Sequence, residues 1–112
     1  MSHNTLVKQN RFRVLVLAAG GSGMNVLAQH FLKCEHIVYG MDRDFDRGGK
    51  IRIKNCLQAM GLRIIKETDG IRELKLDLVV TSPAIEKSHP VLVQAAENKV
   101  PVKTRNEYIS SV

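Results

Sequence analysis

The chain has 112 residues, 44% of them hydrophobic and 4% aromatic, no Trp, and a formal net charge of +6. That length holds about one ordinary domain, and that apolar fraction supports a packed core, which excludes a disordered chain. The positive balance favours anionic partners. However, the densest basic run, Arg43 to Lys66, is diluted by Ile51, Ile53, Leu57 and Met60 and reads as a helix with a wet face. Tyr39 and Phe45 interleave too poorly with the basic residues to make a stacking platform, so nucleic acid is not an expected partner.

In chain order, Met1 to Asn10 is polar, lacks the apolar stretch of a signal peptide, and reads as a flexible leader. Arg13 to Ala19 (RVLVLAA) is a compact apolar run ended by two glycines, as in a strand buried on both faces. Ser22 to Lys33 places Met24, Leu27, Ala28, Phe31 and Leu32 at helical spacing. His36 to Met41 reads as a second strand, and Asp42 to Gly49 as a charged loop. Lys50 to Met60 carries Ile53, Leu57 and Met60 on one helical face, with Gly61 where a helix-ending glycine belongs. Leu62 to Ile65 is the third strand and Asp69 to Lys75 a helical turn or two. Leu76 to Thr81 is the fourth strand, stopped by Ser82-Pro83. Pro90 to Asn98 is a helix with Pro90 acceptable at its first position and Val91, Leu92, Ala95 and Ala96 at helical spacing. Val100 to Lys103 is a short fifth strand and Arg105 to Val112 begins a last helix. This alternation predicts a single-domain α/β fold, Rossmann-like and doubly wound, with a mostly parallel five-stranded sheet and helices on both faces. No apolar run approaches the ~20 residues of a membrane span, so the expected location is the cytoplasm, away from membranes.

The strongest local signal is strand, then Gly20-Gly21-Ser22-Gly23, then helix. Glycines suit such a turn because it asks for unusual backbone angles and lets a ligand approach the main chain without meeting a Cβ. The helix N-terminus then offers free N–H groups and a positive dipole end to a phosphate. The full G-x-G-x-x-G is not present; Ala18 stands where its first glycine would lie. Asp42 ends the second strand, where an acidic side chain accepts from ribose hydroxyls. Thr81-Ser82-Pro83-Ala84 falls on the same carboxyl edge and reads equally as a pocket wall or a capped turn. The Asp42-x-Asp44-x-Asp46 run lacks the glycine and acidic spacing of a calcium loop. Cys34 and Cys56 have no zinc spacing and are expected as reduced core thiols, and His3, His30, His36 and His89 as surface or structural residues. No metal site and no catalytic constellation is expected.

Four blocks of this sequence resemble the N-terminal domain of the Mur ligases, nearest to the branch that joins L-alanine to UDP-N-acetylmuramate. Gly20-Gly21-Ser22-Gly23-Met24 resembles the family's GGAGM phosphate loop, and Gly40-Met41-Asp42 its G-S-D. Val79 to Ile85, followed by Pro90, resembles V-V-x-S-S-A-I…N-P, and Val100-Pro101-Val102 with Arg105 and Glu107 resembles I-P-V…R-A-E. The resemblance implies diphosphate contacts at Gly21, Ser22, Gly23 and Met24 and uridine contacts near Asp42 and Ser82. Gly20, Thr81 and Ala84 lie in the same blocks, and Thr68 and Arg105 are further candidates. Three departures stand out: Ala18 for a loop glycine, Pro83 for a serine, and Thr68 where the family often has a histidine near the uracil. The implied ligand is UDP-N-acetylmuramate or UDP, and the implied role is in peptidoglycan synthesis. No cofactor is implied for this domain; ATP and Mg2+ belong to the complete ligase. The chain then reads either as one domain of a larger ligase, partnered by its remaining domains, or as a stand-alone relative.

The alternative from the same residues is an NAD-binding Rossmann domain of a dehydrogenase or sensor, with Asp42 as ribose ligand. Against it stands the missing first glycine at Ala18. These 112 residues contain no G-x-x-x-x-G-K-[ST]. The purified chain is therefore expected neither to hydrolyse ATP nor to ligate L-alanine. Phosphate release above background in the presence of UDP-N-acetylmuramate and L-alanine would overturn that.

Overall fold

The computed structural model describes residues 11–110. The expected leader at Met1 to Asn10, with His3, lies outside the described residues, as do Ser111 and Val112. Within them the strands are β1 (Arg13–Leu17), β2 (Ile37–Met41), β3 (Arg63–Ile64), β4 (Leu78–Thr81) and β5 (Val102–Thr104). The helices are α1 (Ser22–Lys33), α2 (Arg43–Asp46), α3 (Ile51–Ala59), α4 (Pro90–Glu97) and α5 (Arg105–Ser110). The sheet order is β3-β2-β1-β4-β5 and every pairing is parallel. The chain winds outward from β1 to β3, then returns to β1's other side for β4 and β5. The point of reversal therefore lies beside β1, where open α/β sheets leave a crevice beyond the strands' carboxyl ends.

The RVLVL run is apolar throughout because β1 is covered on both faces. Val14 and Val16 point into a cluster with Met24, Leu27, Ala28 and Phe31 of α1 and Leu57 of α3. Leu15 and Leu17 point the other way, into a cluster with Ile71, Val91 and Ala95. Period-two alternation of one strand thus feeds two cores. Phe31 is fully buried, with its ring edge-on to Phe12 and Tyr108 at centroid distances of 5.7 and 5.1 Å, so it ties α1 to the chain's start and to α5.

Several expectations are corrected. The segment Asp42 to Gly49 is not all loop: Arg43–Asp46 forms a one-turn helix with Phe45 buried beneath it. Asp42 caps that helix, its side chain accepting from the Asp44 N–H at 2.8 Å, and Asp44 and Asp46 sit favourably at the dipole's positive end. A single turn leaves no periodicity to read. The helical turn read at Asp69 to Lys75 is the 3₁₀ turn Arg72–Leu74, and a second 3₁₀ turn, Glu67–Asp69, precedes it in the β3–β4 connection. Strand β4 begins at Leu78, not Leu76; just before it the Asp77 carboxylate accepts the Arg13 N–H at 2.8 Å. Cys34 and Cys56 are free but exposed, not core thiols: Cys34 ends α1 and Cys56 lies on α3 beside the buried Leu57. Ala96 also faces outward.

Phe31→Ala should remove ~3–5 kcal/mol of stability, since a fully buried aromatic loses both its transfer free energy and its packing. Urea unfolding followed by circular dichroism measures it; a loss below ~1 kcal/mol would mean that α1 is not anchored through this ring.

Candidate functional site

The turn from β1 into α1 is built differently from what its glycines suggest. The residue with a left-handed backbone is Ala18 (φ 58°), while Gly20, Gly21 and Gly23 have ordinary angles. Ala18 accepts the Gly21 N–H at 2.9 Å, which closes the turn. The glycines are needed for space. A Cβ on Gly20 would lie 2.8 Å from Asp42 Oδ2, 2.8 Å from Lys50 Cδ and 2.9 Å from the Phe45 ring. A Cβ on Gly23 would lie 3.2 Å from Arg105 Nε.

Beyond the turn, α1 starts with no side-chain cap on Gly21 and no acidic residue in its first turn. The first N–H groups of a helix have no intrahelical acceptor, and here they stand at Ser22, Gly23 and Met24 at the positive end of a 12-residue helix. Asn25 braces the turn, its Nδ2 donating to the carbonyls of Gly21 and Ser22 at 2.9 and 3.1 Å. Arg105, the first residue of α5, lies over Gly23. Its Nε is buried and has no hydrogen-bond partner among the described residues. Together Gly21, Ser22, Gly23, Met24, Ser82 and Arg105 line a cleft of about 380 Å³, with Ala18, Pro83 and Asn106 completing it. Backbone donors, a helix dipole and a guanidinium whose Nε is unpartnered among the described residues converge there, which is the chemistry of an anion site.

A second cavity, of about 160 Å³, lies on the β2 side, and Ala18 lines both. Its walls include Leu17, Met41 and Ile85, with Asp42, Lys50 and His89 as polar members. Asp42 is 6% exposed, and its Oδ2 accepts the Gly20 N–H at 2.8 Å, tying the glycine turn to the end of β2. Lys50 Nζ stands 3.6 Å from the same oxygen and 3.0 Å from Asp44 Oδ2. Hydrogen bonding with Asp44 raises the Lys50 pKa, and the same pair lowers that of Asp44.

Across the mouth of this cavity Arg43 reaches Glu67 at 2.7 Å and Glu86 at 2.6 Å, so the loops after β2, β3 and β4 are strapped together. The hydrogen bond from Arg43 holds the Glu86 carboxyl down to about 2 and lowers that of Glu67. Buried His89 caps α4, its Nδ1 accepting the Val91 N–H at 3.1 Å, and turns Nε2 toward Glu67 at 3.5 Å.

Of the residues singled out from sequence, Gly21, Ser22, Gly23, Met24, Ser82 and Arg105 come together in one cleft, and Asp42 lines the adjoining cavity. Gly20 lines neither, being packed under Asp42, Lys50 and Phe45. Thr81 is buried and turned onto the Ser82 carbonyl at 3.2 Å. Ala84 and Thr68 are exposed and line neither space, although Glu67 beside Thr68 joins the Arg43 strap. Arg43, Lys50, Ile85, His89 and Asn106 were not singled out. Their roles depend on pairings across loops, such as Arg43 with Glu86 at a separation of 43 residues, that local spacing does not carry.

A parallel sheet reversing beside β1, with these spaces at its carboxyl edge, is the architecture of the Rossmann-like α/β domains. A family model described as "Mur ligase family, catalytic domain" matches residues 14–112. The UDP-N-acetylmuramate–L-alanine ligase of Clostridium novyi is 34% identical over 112 residues, covering all of this chain and 23% of that protein. Among solved structures, the UDP-N-acetylmuramate-alanine ligase of Thermotoga maritima superposes with a TM-score of 0.75 at 24% identity, over 90% of this chain and 22% of that one. An isoflavone reductase shares the fold at a TM-score of 0.64 and 11% identity, over 85% of this chain and 35% of its own. Fold alone therefore does not separate ligase from dehydrogenase; the family match does. The chain belongs to the Mur ligase family, as an N-terminal domain of the type found in UDP-N-acetylmuramate–L-alanine ligases. It spans about a quarter of the length of the curated relatives it matches.

The strap carries a pH signature. A carboxyl whose folded pKa is depressed contributes stability above its unfolded value and loses it as pH falls through the folded one. For Glu86 that window runs from 4.5 down to about 2. Arg43→Met should flatten the decline of melting temperature over that window relative to the unsubstituted chain; parallel profiles would show that the strap adds nothing.

Proposed function

We propose that this domain binds the diphosphate of UDP-N-acetylmuramate, or of UDP, in the cleft formed by Gly21, Ser22, Gly23, Met24, Ser82 and Arg105, with the nucleoside passing Ala18 into the cavity beside Asp42. The observation that carries the reading is the Arg105 guanidinium, its Nε buried without a hydrogen-bond partner among the described residues, over the uncapped start of α1. A buried polar group without a partner is destabilising, and a phosphate oxygen is the acceptor that this group and the first-turn N–H groups share. Asp42 orders the site by pinning Gly20. Residues 11–112 are then the sugar-nucleotide domain, acting in the cytoplasm in cell-wall peptidoglycan synthesis, with the remaining domains of a ligase as partners. No helix among the described residues is long and apolar enough to cross a membrane, consistent with that setting.

In that reading the domain breaks no bond. It positions the substrate, which removes translational and rotational freedom from a reaction completed elsewhere. ATP and Mg2+ would serve that reaction in the other domains. The sequence has no phosphate-binding lysine loop, and no step through ATP or Mg2+ is assigned to this chain.

Titration with UDP-N-acetylmuramate, followed by backbone amide NMR, should shift Gly21, Ser22, Gly23 and Ser82, with a dissociation constant of ~0.1–1 mM for a half-open site. NAD should bind no better. Arg105→Met should weaken binding at least ~10-fold, the loss of a charge-assisted hydrogen bond. Gly23→Val, which puts a branched carbon where phosphate and Arg105 meet, should abolish the response in a domain still folded by circular dichroism. Equal or larger shifts with NAD, or none with any uridine nucleotide, would overturn the reading.

A further inference from the structure

Lys50 is the residue of the second cavity whose placement local folding does not explain. It precedes α3 in a left-handed conformation (φ 53°, ψ 39°), which an L-residue with a side chain adopts only at a cost, and it gives α3 no side-chain cap. Its position bends the aliphatic stem back over the glycine turn, where Cδ occupies the space that a Cβ on Gly20 would need. The ammonium that the stem delivers lies beside the buried Asp42 carboxylate, in the same cavity wall.

The polar groups of that cavity differ in what they have left to give. Arg43 is engaged on both sides by Glu67 and Glu86, and His89 turns its Nε2 to Glu67. Lys50 has three donors; one meets Asp44 at 3.0 Å, and the contact to Asp42 at 3.6 Å is an ion pair too long for a good hydrogen bond. Asp42 accepts one N–H on each oxygen, from Gly20 and Asp44, and a carboxylate offers about four lone-pair sites. The pair therefore presents a spare acceptor next to a spare donor, on the nucleoside side of the anion cleft.

Resting on the nucleotide reading above, we propose that Lys50 and Asp42 together recognise the ribose 2′,3′-diol, one hydroxyl donating to Asp42 and its neighbour accepting from Lys50, so that the site selects ribonucleotides over 2′-deoxyribonucleotides. A site built to hydrogen-bond a hydroxyl rejects an analogue lacking it because its own buried polar group is left unpaired. Lys50 is a specificity-determining residue in this scheme.

The test is calorimetric titration of the 112-residue chain with UDP and with 2′-deoxy-UDP. The unsubstituted chain should bind UDP ~10-fold or more tightly than the deoxy form, and Lys50→Met, which keeps the stem over Gly20, should reduce that ratio to within ~2-fold. Lys50→Arg, which retains a charged donor, should keep a measurable preference. If Lys50→Met does not fold by circular dichroism, Lys50→Leu, which also lacks a donor, is read by the same ratio. A preference unchanged in Lys50→Met overturns the role of Lys50; no preference in the unsubstituted chain while UDP still binds overturns the diol recognition and leaves the nucleotide reading standing. Failure of the unsubstituted chain to bind UDP overturns the nucleotide reading and this proposal with it.

Discussion

The hydrogen bond from the Gly20 N–H to the buried Asp42 carboxylate fixes the relation between the ends of β1 and β2. The oxygen that takes Gly20 also stands beside Lys50, and its twin caps α2, so one carboxylate sets the glycine turn, the short helix and the lysine. Because the donor is the Gly20 amide, the side chains that locate the turn, Asp42, Lys50 and Phe45, all pack against Gly20. That leaves the face over Gly21 and Gly23 open to Arg105 and to a ligand. Gly20 itself belongs to the support beneath.

Two kinds of electrostatic arrangement meet at Ala18. On the β2 side the cations that line the cavity are paired: Arg43 with two glutamates, Lys50 with two aspartates. Asp42 is buried, but the other partners are partly exposed, and such exposed pairs are individually weak contributors to stability. Their effect is to hold three loops in register at the carboxyl edge. On the α1 side the balance is missing: a guanidinium and a helix N-terminus face the same cleft with no acidic residue in the first turn of the helix. Attraction for an anion comes from that local imbalance, not from the net charge of +6 spread over the surface.

The sheet was legible because its central strand is buried twice over: RVLVL has only apolar positions after Arg13, and the period of α1 is carried by Met24, Leu27, Ala28 and Phe31. The elements that escaped notice are those too short to show a period, α2 above all. For the site, the glycine turn was visible, but the reason for each glycine was not. The strained backbone falls on Ala18, and the crowding around Gly20 comes from Lys50 and Phe45, 30 and 25 residues away by their numbering. Arg105 entered through family resemblance alone. That its Nε lacks a partner among the described residues is a property of packing between α1 and α5, which no stretch of sequence records.

That packing has a consequence for how the domain assembles. The anion cleft takes its amides from the first helix and its guanidinium from the last described one, with four of the five strands between them in the chain. The turn at Gly20 needs only β1, β2 and their neighbours, which are near in sequence and close early at little loop entropy. Arg105 arrives only after β4 and β5 have added to the far side of β1. A ligand in the cleft then bridges the earliest and latest parts of the fold, and by mass action its binding stabilises the docking of α5 as well as the turn it touches.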